Sequence, residues 1–198
     1  MKQSRRSRCG TSILSLLLFS LALAFLLPGL LGFALPAMAD DSPAPAEWET
    51  DIIAQELLLL MNNARTGVEV PPLENHEALM WAAQLRAAEL AEKFSHTRPN
   101  GSAYSSVFDA VGFAMAGRWH GENIVTVRVT LPQTGGETEA VIAAALYAAL
   151  RASSGQTGNL LRGQYALTGV GVTLRQAASE AEGTNAVTVC AVQLFASA

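Results

Sequence analysis

Phe94-Ser95-His96-Thr97 and Gly121-Glu122-Asn123-Ile124 are two short polar islands, one carrying an imidazole and the other a carboxylate. An imidazole and a carboxylate delivered from two rigid elements are the minimum parts of a metal centre or of an acid–base pair. The run Arg118-Trp119-His120-Gly121-Glu122 adds a third group. If that segment is extended, His120 and Glu122 point to the same side. His96, His120 and Glu122 would then form a three-ligand site with an open position, the pattern of catalytic zinc. The alternative is that His120 is an exposed loop residue beside Trp119. His76-Glu77 opens like a zincin helix, but the second histidine of that motif falls on Met80, so His76 reads as an early helix-surface residue. No Gly-x-Ser-x-Gly elbow is present. Ser95 and Ser105 near His96 leave a Ser-His-Glu arrangement open.

These residues need elements to hold them. Ile53, Leu57, Leu60 and Ala64 fall on one face at spacings of three and four, which predicts a helix over 47–64. Gly67 and Pro71-Pro72 end it. Asn62 and Arg65 are expected to cap and brace that end. Leu79, Ala83, Ala87, Leu90 and Phe94 predict a second helix over 75–94, with His96 just beyond its stripe. Pro99-Asn100-Gly101 signals a turn, and Ser105 to Gly112 a short helix. Val125, Val127 and Val129 alternate with Thr126, Arg128 and Thr130, a strand over 123–131 whose start Asn123 would tie down. A polar turn, Gln133 to Glu137, leads to a third helix over 138–152 with Ile142, Ala145, Leu146 and Ala149 inward. Thr168 to Leu174 and Ala186 to Phe195 read as strands joined by the polar loop Glu180 to Asn185. Trp81 and Trp119 are expected to cover the core. The order helix, helix, strand, helix, strand, strand suggests a layered α+β domain.

The ordered set Asn62-x-x-Arg65, Gly67, Pro71-Pro72-Leu73, Phe94-Ser95-His96-Thr97, Gly121-Glu122-Asn123 and Ser154-Gly155-x-x-x-Asn159-Leu160-Leu161 resembles a bacterial CAP domain. This superfamily groups cysteine-rich secretory, antigen-five and pathogenesis-related proteins. The resemblance runs from about Glu47 to Phe195. It implies a three-layer α-β-α sandwich with a cleft that in many members holds two His and two Glu, in some around zinc or another divalent ion. His96 matches the first His and Glu122 the first Glu. The second His is replaced by Gln156, and the second Glu falls near Ser153. Carboxamides are poor zinc ligands. The resemblance therefore implies a cleft at His96, Glu122, Gln156 and Ser153 with no cofactor. Its occupant would be a small apolar ligand or an envelope component. The alternative is zinc or another divalent cation on His96, Glu122 and His120, serving a metal-dependent peptidase or cell-wall hydrolase.

The first 39 residues stand apart. Lys2, Arg5, Arg6 and Arg8 precede an uncharged stretch from Cys9 to Ala39, which Pro28-Gly29 interrupts and Ala37-Met38-Ala39 ends. This reads as a secretory signal peptide over 1–39, a linker over 40–46 and a CAP domain over 47–198. An uncleaved anchor is the other reading of so long an uncharged run and the one expected route to a membrane. The Pro-Gly break and the small-x-small site favour cleavage, and hence a secreted or periplasmic protein. Arg5-Arg6 is followed by polar residues, so a twin-arginine signal is not favoured.

All 17 acidic residues lie beyond residue 39 with nine of the 13 basic ones, a formal charge of −8 on that part. Lys93 is its single lysine. Nucleic acid is excluded as a partner, because displacing counterions needs clustered cations. Docking on anionic lipid fails for the same reason. Cys190 alone follows the leader, so no internal disulfide is expected. Its alternating apolar surroundings make it a small buried hydrophobe rather than a reactive thiol. A monomer is expected.

Overall fold

The structure is a computed structural model that describes residues 50–131, 138–176 and 186–198. The leader, the linker, the first residues of the first expected helix, the turn Gln133 to Glu137 and the loop Glu180 to Asn185 lie outside the described residues. In chain order the elements are α1 (Thr50–Thr66), β1 (Glu74–Asn75), α2 (Glu77–Glu92), α3 (Ser106–Ala110) and β2 (His120–Thr130). They continue with α4 (Thr138–Ala152), α5 (Ser154–Leu160), β3 (Leu167–Gln176) and β4 (Ala186–Ala196). The four strands form one sheet in the order β1-β3-β4-β2. β4 runs antiparallel to both β2 and β3, and β1 pairs in parallel with the start of β3.

Alternation along the strands divides the core in two. Val125, Val129, Val170, Val172, Val189 and Ala191 face α1 and α4, where Ile53, Leu57, Met61, Ile142 and Leu146 bury their side chains. Ile124, Cys190, Val192 and Leu194 face α2 and α3, against Leu79, Ala83, Ala87, Leu90 and Phe108. The layers are helix, sheet, helix, as the CAP resemblance implies. Cys190 is buried and free, as its setting in the sequence suggests.

Helix α4 spans the expected residues. Other bounds move, each for a physical reason. Helix α1 continues to Thr66 because Thr66 Oγ1 donates back to the carbonyls of Asn62 and Asn63. Its buried stripe is Ile53, Leu57, Met61 and Arg65, so Leu60 and Ala64 sit at its flank. Helix α2 stops at Glu92, and Phe94, assigned above to its core stripe, is half-exposed instead. His76 sits at the N-cap of α2, with its ring edge-on to Phe113. That side chain is partly buried rather than a surface residue. Helix α5 was not anticipated, since Gly155 and Gly158 disguise it as a turn. Trp81 and Trp119 are 65% and 60% exposed and cover no core. Among the described residues no helix is long and apolar enough to cross a membrane.

Two glycines set how closely α2 lies on the sheet. A Cβ at Gly169 would stand 2.1 Å from the carbonyl carbon of Leu79, and one at Gly171 2.3 Å from that of Ala83. The obstacle is helix backbone, which cannot turn aside as a side chain can. Overpacking costs about 1–3 kcal/mol even where side chains can yield. Gly171→Ala is therefore expected to lower the thermal midpoint by at least about 5 °C, read by calorimetry. An unchanged midpoint would show that α2 can lift off at no cost.

Candidate functional site

Strand β2 is the edge of the sheet farthest from β1, and it begins at His120, three residues before the expected start. The polar run His120-Gly121-Glu122 is extended because β4 pairs with it as far as Ala196. His120 and Glu122 therefore share the α2 side of the sheet, as two-residue spacing requires. Their environments differ sharply. The Glu122 side chain is fully buried, whereas His120 is exposed.

Glu122 is committed on both oxygens. Arg86 Nε donates to Oε1 at 2.8 Å, and His96 Nδ1 donates to Oε2 at 2.7 Å. The Arg86 side chain, from the middle of α2, is fully buried. Its remaining donors reach Glu89 at 2.5 Å and the Ser95 carbonyl at 2.8 Å. Arg98 continues the network through Glu89 and Ser106. Two guanidinium groups and two carboxylates thus interlock, and the Ser95 contact holds the turn that presents His96. With its Nδ1 proton on Glu122, a neutral His96 carries its lone pair on Nε2. That side chain is 58% exposed, so the second nitrogen is available to an incoming group.

The network shapes its own charges. Burial lowers the Arg86 pKa, but hydrogen bonds and charge from Glu122 and Glu89 outweigh it and the net direction is up. Burial raises the Glu89 carboxyl, but the hydrogen bonds from Arg98 and Arg86 outweigh it and hold it below its ordinary value. A carboxyl whose folded pKa is depressed stabilises the fold in full above the ordinary carboxylate range, and the contribution is lost as pH falls through the folded value. Resistance to urea is therefore expected to hold from neutral pH down to the ordinary carboxylate range, about pH 4, and to fall below it. Glu89→Gln should remove part of that dependence; an unaltered slope would separate Glu89 from acid sensitivity.

His120 takes a different partner. Its Nδ1 lies 2.8 Å from the Tyr104 hydroxyl. Burial, with smaller contributions from Tyr165 and Glu122, pushes the Tyr104 phenol up to about 12, so it remains protonated at neutral pH. The Tyr104 ring stands between the two histidines, edge to face with both. Among the described residues no group of three or more His, Cys, Asp or Glu is placed to hold a metal ion. The grouping of His96, His120 and Glu122 is thus not formed. His120 turns to Tyr104, while Glu122 turns to Arg86 and His96.

The cleft itself lies beside His96. It has a volume of about 580 Å³ and is lined by Phe94, Ser95, His96, Ile124, Val125, Thr126, Ala149 and Gln156. Its walls come from both faces of the sheet, so it straddles the β2 edge. Gln156 lines it from α5, whereas Ser153 is the N-cap of α5 and is not among the lining residues. Asn123 secures α5 to β2: its Nδ2 donates to the Gln156 carbonyl at 3.0 Å, and its Oδ1 accepts from Asn159 Nδ2 at 3.1 Å. Asn123 thus ties a helix to the strand rather than merely fixing the strand's start.

Sequence reasoning missed Arg86, Glu89, Arg98 and Tyr104. A signal for the first was present. Arg86 interrupts the apolar periodicity of α2 at a core position, between Ala83 and Leu90, as Arg65 does in α1. A charge at a core position of an amphipathic helix requires a buried partner.

No known family profile matches the sequence, and no curated protein matches it. Solved structures do. An extracellular protein containing an SCP domain from Bacillus anthracis superimposes with a TM-score of 0.53 at 19% identity, over 75% of this chain and 41% of that one. A cysteine-rich secretory protein from Staphylococcus aureus aligns with a TM-score of 0.49 at 15% identity, over 78% of this chain and 41% of that one. The chain spans about 41% of the length of each of these proteins. The domain has the CAP-type α+β fold that the ordered motifs imply.

Proposed function

We propose that this CAP-type domain is an exported, non-enzymatic binding module whose cleft takes an apolar or amphipathic ligand or an envelope component. The observation that carries this reading is the double commitment of Glu122. With one oxygen on Arg86 and the other on His96, the carboxylate is neutralised and oriented, not free to ligate a metal. The cleft beside it remains open, with Phe94, Ile124 and Ala149 as apolar wall and His96 Nε2 as a hydrogen-bond acceptor. Its volume is in the range of small-ligand sites. Export rests on the expected leader over 1–39, and the extracellular description of the Bacillus anthracis protein agrees with it.

A hydrolase is the competing reading, favoured by the His96–Glu122 hydrogen bond, which is the orientation a general base needs. A metal-dependent version requires His120 to leave Tyr104 and join His96. Elemental analysis of residues 40–198 after zinc loading and desalting separates the two. No stoichiometric metal is expected, together with saturable binding of the neutral amphiphile octyl glucoside that weakens in His96→Ala. About one zinc per chain, lost in His120→Ala, would overturn the binding-module reading. Amphiphile binding unaffected by His96→Ala would move the site elsewhere.

A further inference from the structure

The two edges of the sheet are treated differently. On β3, His76 N–H donates to the Thr168 carbonyl at 2.9 Å. Four residues on, the Gln84 carboxamide bonds both the carbonyl and the N–H of Val172, at 3.1 and 3.2 Å. A side-chain amide thus stands where a neighbouring strand would be. Such covering is how folds protect an edge from unwanted pairing.

The same two bonds fix the parity of the whole sheet. Because Val172 bonds away from β4, Gly171 and Thr173 bond toward it, opposite Val192 and Cys190. Ala191 and Gln193 of β4 therefore bond toward β2, opposite Val125 and Asn123. The N–H and C=O groups of Glu122, Ile124 and Thr126 then point out of the sheet. The Asn159 side chain reaches the Glu122 carbonyl at 3.4 Å, in agreement with that parity. At Ile124 and Thr126 no described residue meets the outward backbone groups, and these two residues line the cleft.

We propose that the cleft's ligand is an extended peptide segment, which adds to β2 as a further strand at Ile124 and Thr126. This rests on the binding-module reading above and names its ligand class. An outward N–H and C=O spaced two residues apart match the repeat of an extended chain and of little else. Alternate side chains of the added strand would face opposite walls. One wall is Phe94, Ser95 and His96; the other is Ala149 and Gln156. Phe94, half-exposed at the end of α2, offers the apolar contact. Gln156 keeps a buried carboxamide oxygen with no partner among the described residues, an acceptor still to be satisfied beside the added chain.

The test uses residues 40–198 labelled with ¹⁵N and the peptide acetyl-Thr-Val-Thr-Val-Lys-amide. Two N-methylated forms accompany it, one with the methyl groups on alternate residues of one edge, the other with them on the opposite edge. The expected result is amide shifts at Ile124 and Thr126, with one methylated form binding at least tenfold more weakly than the other. Equal binding of the two methylated forms, or shifts confined to other surfaces, overturns the proposal. Thr126→Pro removes one outward N–H at an edge position where proline is tolerated, and should weaken the unmodified peptide severalfold. Octyl glucoside shifting the cleft while the peptide stays silent would sink the peptide and leave the binding module standing. If neither probe moves the cleft, both readings fall.

Discussion

Arg65→Met is expected to unfold the domain or leave it barely stable. Arg65 is fully buried at the end of α1, and among the described residues it meets no carboxylate. Its donors instead reach four backbone carbonyls: Pro71 at 2.8 Å, Leu160 at 2.7 Å, Arg162 at 3.1 Å and Tyr165 at 2.9 Å. Those contacts join α1 to the loop before β1 and to the segment between α5 and β3. Two effects compete. Burial lowers the Arg65 pKa, so removing the charge relieves a desolvation cost. Against that, each carbonyl left unpaired in the interior costs about 1–3 kcal/mol. The Arg162 carbonyl keeps the Tyr165 N–H, and the other three at the low end come to about 3 kcal/mol, a large part of the stability of an ordinary domain. The carbonyls win unless water can enter. Arg65→Lys keeps the charge but cannot span the fork, so it should recover only part of the loss. Urea unfolding decides the matter. A methionine variant within about 1 kcal/mol of the parent would mean that the clamp is dispensable. Because the clamp also holds the chain that follows α5, partial loss should appear first as a changed environment at Gln156.

The second large effect is expected at Arg86. Arg86→Met strands the buried Glu122 carboxylate and releases Glu89 and the Ser95 carbonyl. Removing one partner of a buried ion pair typically costs about 3–5 kcal/mol, because the remaining charge stays in the interior. The pair's own net worth is much smaller, since desolvation opposes the attraction. These two statements are distinguishable. Arg86→Met with Glu122→Gln should recover well over half of the loss suffered by Arg86→Met alone. Nearly additive losses would instead mean that the two residues act separately. The double variant should still bind octyl glucoside less well than the parent, because His96 has lost the ionised acceptor that orients its ring.

Much of the scaffold was legible because it is written in local periodicity. Ile142, Leu146 and their neighbours place α4 within its observed bounds, and the alternation of Val125, Val127 and Val129 marks β2. His96 and Glu122 were visible as polar islands between apolar stretches, and the structure joins them by a 2.7 Å hydrogen bond. Helix α5 was hidden by its glycines, and β1 is too short to show any pattern. The start of β2 was misplaced because His120-Gly121-Glu122 has the composition of a loop and is held extended by β4.

By itself, then, the sequence determined the longer helices and strands, their order, and which imidazole and which carboxylate were worth watching. These follow from short-range spacing, which a linear chain displays directly. Tertiary structure decided what those groups can do. Arg86 lies 36 residues before Glu122, and Tyr104 lies 16 before His120, separations that no local pattern records. Only the packing of α2 against the sheet gives Glu122 its guanidinium partner, and only the strand register turns the N–H and C=O groups of Ile124 and Thr126 away from β4. Hydrogen bonds and ion pairs act over about 3 Å of space whatever the distance along the chain.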